Sequence, residues 1–228
     1  MNHDLFDLGE DYDAMLAQGL RLSGEDKRYF IRGRLRKLRE SLPPPFSPRR
    51  ILDFGCGTGD AARELADAFP GARVLGLEAS ENMLAHARRM HPGGALSFAA
   101  IRDFQETGVF DLCHVNGVFH HIAPAGRLKA AAALCRFLAP GGRLAFFENN
   151  PWNPGTRWVM SRIPFDRDAK PLSPPEARSL LREAGFADPA PTLFLFYFPR
   201  PLAFLRFSEP WLERLPLGAQ YFILAAKP

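Results

Sequence analysis

Short apolar runs alternate with amphipathic stretches through the middle of the chain. The apolar runs are Ile51 to Phe54, Val74 to Leu77, Leu96 to Ala99, Asp111 to Val115 and Leu144 to Phe147. Each has the length of a buried strand. Apolar residues at helical spacing lie between several of them, at Ala61 to Phe69, Asn82 to Met90 and Leu128 to Leu138. Strand and helix in alternation predict βαβ units around a parallel sheet with helices on both faces, joined by right-handed crossovers.

The flanks read differently. Residues 1 to 42 are predicted helical, and Pro43-Pro44-Pro45-Phe46-Ser47-Pro48 breaks the chain ahead of the first strand. Beyond the fifth strand, residues 149–173 carry five prolines or glycines together with Trp152 and Trp158, which predicts a long, stiffened, aromatic connection. Ser173 caps a predicted helix from Pro174 to Ala184, and Gly185 stops it. Two further strands are predicted at Thr192 to Phe198 and Gln220 to Ala226, separated by residues 199–218, rich in Phe, Leu, Trp and Arg. The expected organisation is a single domain of 228 residues: a helical prefix to residue 48, a first half at 49–148, and a second half at 149–228 with insertions at 149–173 and 199–218.

Composition narrows the class. Hydrophobic residues make up 46% and charged residues 24%, the balance of an ordinary globular protein. No apolar run approaches the roughly 20 residues that cross a bilayer, and the amino terminus opens on acids, so a cytoplasmic location is expected. Cys56, Cys113 and Cys135 form neither a disulfide ladder nor a zinc pattern, and no metal is expected. The net charge of +4 is concentrated between Lys27 and Arg39, which holds seven basic residues on a helical pattern. A solvated basic face is the first reading of that run, and a surface for an acidic partner the second. No nucleic-acid partner is expected.

The chemistry is densest at Ile51-Leu52-Asp53-Phe54-Gly55-Cys56-Gly57-Thr58-Gly59-Asp60, a strand entering a glycine-rich turn and then a helix. Glycines there let the backbone curl and let a ligand approach where a Cβ would collide. Glu78 closes the second strand 19 residues after Gly59, where a carboxylate can accept both hydroxyl hydrogens of a ribose. The third glycine arrives one residue early for Gly-x-Gly-x-x-Gly, and Asp53 is a poor neighbour for a pyrophosphate but a good one for an ammonium or sulfonium.

These segments resemble the class I S-adenosylmethionine-dependent methyltransferases, in particular the small-molecule branch that includes the ubiquinone and menaquinone enzymes. The resemblance rests on Leu-Asp-Phe-Gly-Cys-Gly-Thr-Gly at 52–59, Glu-Ala-Ser-Glu-Asn-Met-Leu at 78–84, Phe-Asp-Leu at 110–112, Val-Phe-His-His-Ile at 118–122 and Leu-Ala-Pro-Gly-Gly-Arg-Leu at 138–144. It implies a doubly wound, Rossmann-like α/β fold with a seven-stranded sheet, mostly parallel with an antiparallel last strand. It implies S-adenosyl-L-methionine as cofactor, with Asp53, Gly55, Cys56, Gly57 and Gly59 on the methionine part, Glu78 on the ribose, Ala79 and Met83 on adenine, Asp103 and Phe104 near the adenine amino group, and Asn116 bordering the cofactor.

Transfer of a methyl group from a sulfonium needs no metal, and a base matters where the acceptor is a hydroxyl. His120 and His121 follow the fourth strand, with His121 the expected base. A loop-shaping role for the pair stands beside that reading. Glu148 is open to two readings, a second base or a buried charge partner, and Asn149 is expected near substrate. The aromatic insertions suggest a small or lipid-linked acceptor with apolar bulk, methylated at oxygen, and peripheral membrane contact through 199–218. Two other functions stay open, a non-catalytic S-adenosylmethionine-binding module and a nicotinamide-dependent oxidoreductase.

Overall fold

The computed structural model describes residues 9–21, 23–166, 168–187 and 189–228. The first eight residues of the expected helical prefix lie outside them. In chain order the elements are α1 (Gly9–Leu20), α2 (Lys27–Ser41), β1 (Arg50–Phe54), α3 (Asp60–Ala68), β2 (Arg73–Glu78), α4 (Glu81–Met90), β3 (Leu96–Ala100), β4 (Phe110–Asn116), α5 (Pro124–Phe137), β5 (Leu138–Asn149), α6 (Pro154–Arg162), α7 (Pro174–Glu183), β6 (Leu193–Leu195), α8 (Glu209–Leu212) and β7 (Gln220–Ala226). The strands form one seven-stranded sheet in the order β3-β2-β1-β4-β5-β7-β6. Strands β1 to β5 pair in parallel, and β7 runs antiparallel between β5 and β6. The expected doubly wound sheet with its antiparallel last strand is therefore present.

Successive residues of a strand face opposite sides of a sheet, and the core divides accordingly. Leu52, Cys113, Val115, Leu144, Phe146, Tyr221 and Ile223 point to one side, under α5 and α7. Ile51, Val74, Leu112, Ala145, Phe147 and Phe222 point to the other, under α2 and α3. Both faces being covered, the strands read as continuous apolar runs.

The prefix is two helices, in keeping with the expected N-terminal helices: Ser23 and Gly24 turn the chain and Asp26 starts α2 afresh by accepting from the Tyr29 amide at 2.8 Å. Far from being an appendage, α2 buries Ile31, Leu35 and Leu38 in the same cluster as β1 and α3. The strand expected to run to Phe198 stops at Leu195, because Phe196 takes a left-handed backbone (φ 64°) that ends pairing. Its ring then lies 4.9 Å from that of Phe30, edge to face, which ties the end of β6 to α2.

Of the seven basic residues of α2, Arg28, Arg32, Arg36 and Arg39 are exposed, as a solvated face requires, but five of the seven also bond within the molecule. Arg28 and Arg32 bond Glu64 of α3, Arg34 bonds Gln220 of β7, and Lys37 bonds Glu213. Lys27 reaches Thr58 and Asp60 at the glycine turn. Five of the seven charges that suggested an acidic partner thus have partners within the molecule, and the α2–α3 contact combines apolar packing with surface ion pairs.

Among the described residues no helix is long and apolar enough to cross a membrane. Ser173 caps α7 and Gly185 ends it with positive φ, as the sequence predicts, and Glu176 completes a capping box with Ser173.

Phe147 is fully buried and stacked on Phe222 with ring centres 4.4 Å apart. Emptying such a site typically costs about 3–5 kcal/mol. Phe147→Ala should lower the unfolding free energy by that amount in a urea titration, and a loss below ~1 kcal/mol would show that this face of the sheet is not close-packed.

Candidate active site

The strand order reverses between β1 and β4, so the connections after these two strands depart to opposite faces and leave a crevice at their carboxyl ends. The parallel register sets Asp53 beside His114 across that gap. Both are buried, and Asp53 Oδ1 lies 2.7 Å from His114 Nδ1. The other polar atoms of the pair, Asp53 Oδ2 and His114 Nε2, have no hydrogen-bond partner among the described residues, and neither does Asn116 Oδ1 at the end of β4. Leaving buried polar atoms unmatched costs roughly 1–3 kcal/mol each, so three around one crevice mark a place where a ligand supplies the partners.

The glycine turn forms the near wall. Gly55, Gly57 and Gly59 all have positive φ. A Cβ on Gly55 would come within 2.4 Å of Val118, whereas one on Gly57 would project into open space. Gly55 therefore serves close packing between the two strand ends, and Gly57 keeps the approach clear. Burial, reinforced by Asp53 and Glu78, pushes the Cys56 thiol well up, which keeps it uncharged beside the turn. Glu78 folds back onto the turn: one carboxylate oxygen accepts from Gly57 N at 3.0 Å, the other from Ala79 N and Ser80 N. One carboxylate thus couples the ends of β1 and β2.

The far wall is a charge cluster. His120 is buried, with Nδ1 2.6 Å from Glu148 Oε2 and Nε2 3.4 Å from Asp166 Oδ1. His121 is half-buried, with Nε2 3.3 Å from the same Asp166 oxygen. Burial alone would lower the His120 pKa, but Glu148 and Asp166 outweigh it and raise it to about 10. Burial would raise Glu148 and Asp166, yet the histidines hold both below their usual values. Glu148 also accepts from the Phe119 amide at 2.7 Å. It is fully buried and committed to these partners, so of its two readings the buried charge partner is the right one. His120 lies between the same two carboxylates, which favour its charged form, and this suits it to position its neighbours.

One cavity of about 560 Å³ joins the two walls. Asp53, Gly55, Cys56, Gly57, Asn116, His120, His121 and Asn149 line it, so these expected residues are brought together. Gly59, Glu78, Ala79, Met83, Asp103 and Phe104 lie outside its lining. Of these, Glu78 and Ala79 sit at the turn, Met83 is buried in α4, and Asp103 is exposed on the short turn after β3. The Phe104 ring packs edge to face on Phe137 against the core. His114 and Asp166 were not foreseen. His114 sits in a buried apolar strand where nothing local distinguishes it, and Asp166 is 45 residues from His121.

The chain matches the family described as a methyltransferase domain over residues 51–142. It is 41% identical to a trans-aconitate 2-methyltransferase of Acidovorax sp. (strain JS42) over 43% of this chain and 38% of that protein. It is 37% identical to a demethylmenaquinone methyltransferase of Thermus thermophilus, over 53% of this chain and 56% of that one. A solved S-adenosylmethionine-dependent methyltransferase from Archaeoglobus fulgidus superposes with a TM-score of 0.71 at 18% identity, covering 95% of this chain and all of that one. Over residues 51–142 the chain resembles S-adenosylmethionine-dependent methyltransferases, and it shares their fold. It spans between about a third and just over half of the length of the two curated relatives.

S-adenosylmethionine is the cofactor of these methyltransferases. The crevice fits it on the observation already made: Asp53 Oδ2 and Asn116 Oδ1 are buried acceptors in want of a donor, and the amino-acid end of the cofactor carries an ammonium. A buried carboxylate at the same place opposes the pyrophosphate of a nicotinamide dinucleotide.

The His120 cluster makes stability depend on pH. A histidine whose folded pKa lies above its unfolded 6.5 contributes fully below 6.5, and the contribution falls as pH rises towards about 10. Between pH 6.5 and about 8.5 the urea midpoint should fall, and His120→Asn should flatten that slope. A wild-type midpoint that stays level across the range would contradict the charged state of His120.

Proposed function

We propose that the protein transfers the methyl group of S-adenosylmethionine to oxygen of a small acceptor with apolar bulk, bound in the cavity between the glycine turn and His121. The observation that carries this reading is the continuity of the cavity. Unmatched acceptor atoms suited to the cofactor stand on one wall and a half-buried histidine on the other. The bound cofactor supplies an electrophilic methyl on a positively charged sulfur. Asp53 and Asn116 anchor its amino-acid end, and Glu78 holds the turn and receives the ribose hydroxyls.

The acceptor end is built from the insertions and the prefix. Leu16 and Leu20 of α1, Tyr29 and Phe30 of α2, and Val159 and Met160 of α6 line the cavity. Apolar walls of this kind exclude water and strengthen electrostatic interactions inside. His121, with Asp166 behind it, takes the proton of an acceptor hydroxyl.

An acceptor with an apolar tail finds a matching surface next to that cavity. Phe204, Phe207 and Trp211 of the 199–218 insertion are 70%, 70% and 77% exposed. The same insertion contributes Pro199 and Arg206 to the cavity lining. Exposure this large in aromatic side chains supports contact with a lipid-like acceptor or the membrane carrying it over a core role.

Losing a charge-assisted contact costs about 1.5–3 kcal/mol, so Glu78→Ala should weaken S-adenosylmethionine and S-adenosylhomocysteine alike by roughly ten- to a hundredfold in calorimetry. Unchanged binding would remove Glu78 from the site. His121→Ala should leave both affinities in place and reduce turnover by about 10²–10⁴-fold on a hydroxyl acceptor, and full turnover in that variant would leave positioning alone as its role. Joint replacement of Phe204 and Trp211 by serine should keep the melting temperature while reducing liposome association; a melting temperature several degrees lower would mean that the pair supports the fold.

A further inference from the structure

We propose that His120, His121 and Asp166 form a binding site for a divalent transition-metal ion of the zinc type, open to the cavity on its fourth side. This goes beyond the proposed function, which uses no metal.

The geometry is the first argument. Side chains of adjacent residues ordinarily diverge, yet the His120 and His121 rings lie 4.1 Å apart and both Nε2 atoms converge on Asp166 Oδ1, at 3.4 and 3.3 Å. Each of the three residues offers one ligand atom such that all three lie within 4.8 Å of one another. A charge-assisted hydrogen bond would draw an imidazole nitrogen to about 2.7–2.9 Å of a carboxylate oxygen. Asp166 Oδ1 is instead a buried oxygen without a well-formed hydrogen bond among the described residues. Around a tetrahedral ion with bonds of about 2.0–2.1 Å, neighbouring ligand atoms stand roughly 3.3 Å apart. The observed separations are those of two tetrahedral edges.

The surroundings are the second. A metal-bound histidine usually gives its other ring nitrogen to a carboxylate, and His120 Nδ1 sits 2.6 Å from Glu148 Oε2. Two carboxylates, Glu148 and Asp166, are buried here together, and a dication with two neutral imidazoles would balance them. Two imidazole nitrogens and one carboxylate oxygen are ligands for zinc or cobalt, not for calcium or magnesium, which take oxygen. All three residues line the cavity, so the remaining coordination position faces the acceptor. An ion there would bind an acceptor hydroxyl or carbonyl oxygen and stabilise negative charge on it, and His121 would then act as a ligand and not as the base. Asp166 reaches the pair only through α6 and the short turn after it, which is why no ligand spacing is visible along the chain.

The test uses the full-length protein stripped with a chelator and titrated with cobalt(II), followed by visible absorption. The expected result is one cobalt per chain with the intense ligand-field bands of a four-coordinate site, displaced by zinc. Asp166→Asn and His121→Ala should abolish the bands, and Glu148→Gln should keep them while weakening affinity about 10–100-fold. His121 is only half-buried, so its alanine variant is expected to stay folded; unchanged S-adenosylmethionine binding checks this. Absence of the bands at excess cobalt, or bands of equal strength in His121→Ala, would overturn the proposal. Cofactor binding and turnover are read separately, so failure of the methyl-transfer reading would leave the cobalt spectrum as it is.

Discussion

The register that sets Asp53 against His114 is the constraint on which the site depends. It follows from placing β1 and β4 side by side at the point where the strand order reverses. Parallel neighbours in that register bring a carboxylate and an imidazole together inside an apolar sheet, where each can satisfy only half of the other's hydrogen-bonding capacity. The unmatched atoms then point into the crevice that the same reversal opens. A single arrangement thus meets the packing demands of the sheet and leaves the acceptors proposed to bind the cofactor. A buried polar pair of this kind is costly without its ligand, which makes binding and local order parts of one equilibrium.

The acceptor side is added to this frame from both ends of the chain. Helix α2 covers one face of the sheet, sends Lys27 to the glycine turn and turns Tyr29 and Phe30 into the cavity. Phe196, in its left-handed conformation, ends β6 and carries its ring onto Phe30, so the insertion that follows starts from a fixed point beside the cavity. The α6 segment brings Asp166 onto His120 and His121 from the other side. The family match covers residues 51–142, while the walls proposed for the acceptor are shaped by contacts from outside that segment.

Legibility in the sequence follows the range of the interactions involved. The glycine turn, the helix cap at Ser173 and the runs of β1 to β4 and β7 are local patterns, and these are where the sequence predicts them. The periodicity of residues 27–41 shows a helix with an apolar face but is silent on what covers it, and the run of basic residues conceals that five of them bond within the molecule. Asp53, Asn116 and His121 were legible because each ends or follows a strand at the crevice. His114 and Asp166 were not, since one is hidden in an apolar strand and the other becomes significant only through tertiary contact. Glu148 was visible as a charge at the end of an apolar strand, and only its zero exposure and its hydrogen bonds decide between base and charge partner.

The central claim is that the unmatched atoms around Asp53 receive the amino-acid end of S-adenosylmethionine and aim its sulfur at His121. A crystal structure with S-adenosylhomocysteine tests it most directly. The account predicts the homocysteine nitrogen within hydrogen-bond distance of Asp53 Oδ2 or Asn116 Oδ1, and the sulfur facing the cavity that His121 lines. A ligand whose amino-acid end lies away from both atoms, or whose sulfur is walled off from His121, would contradict it.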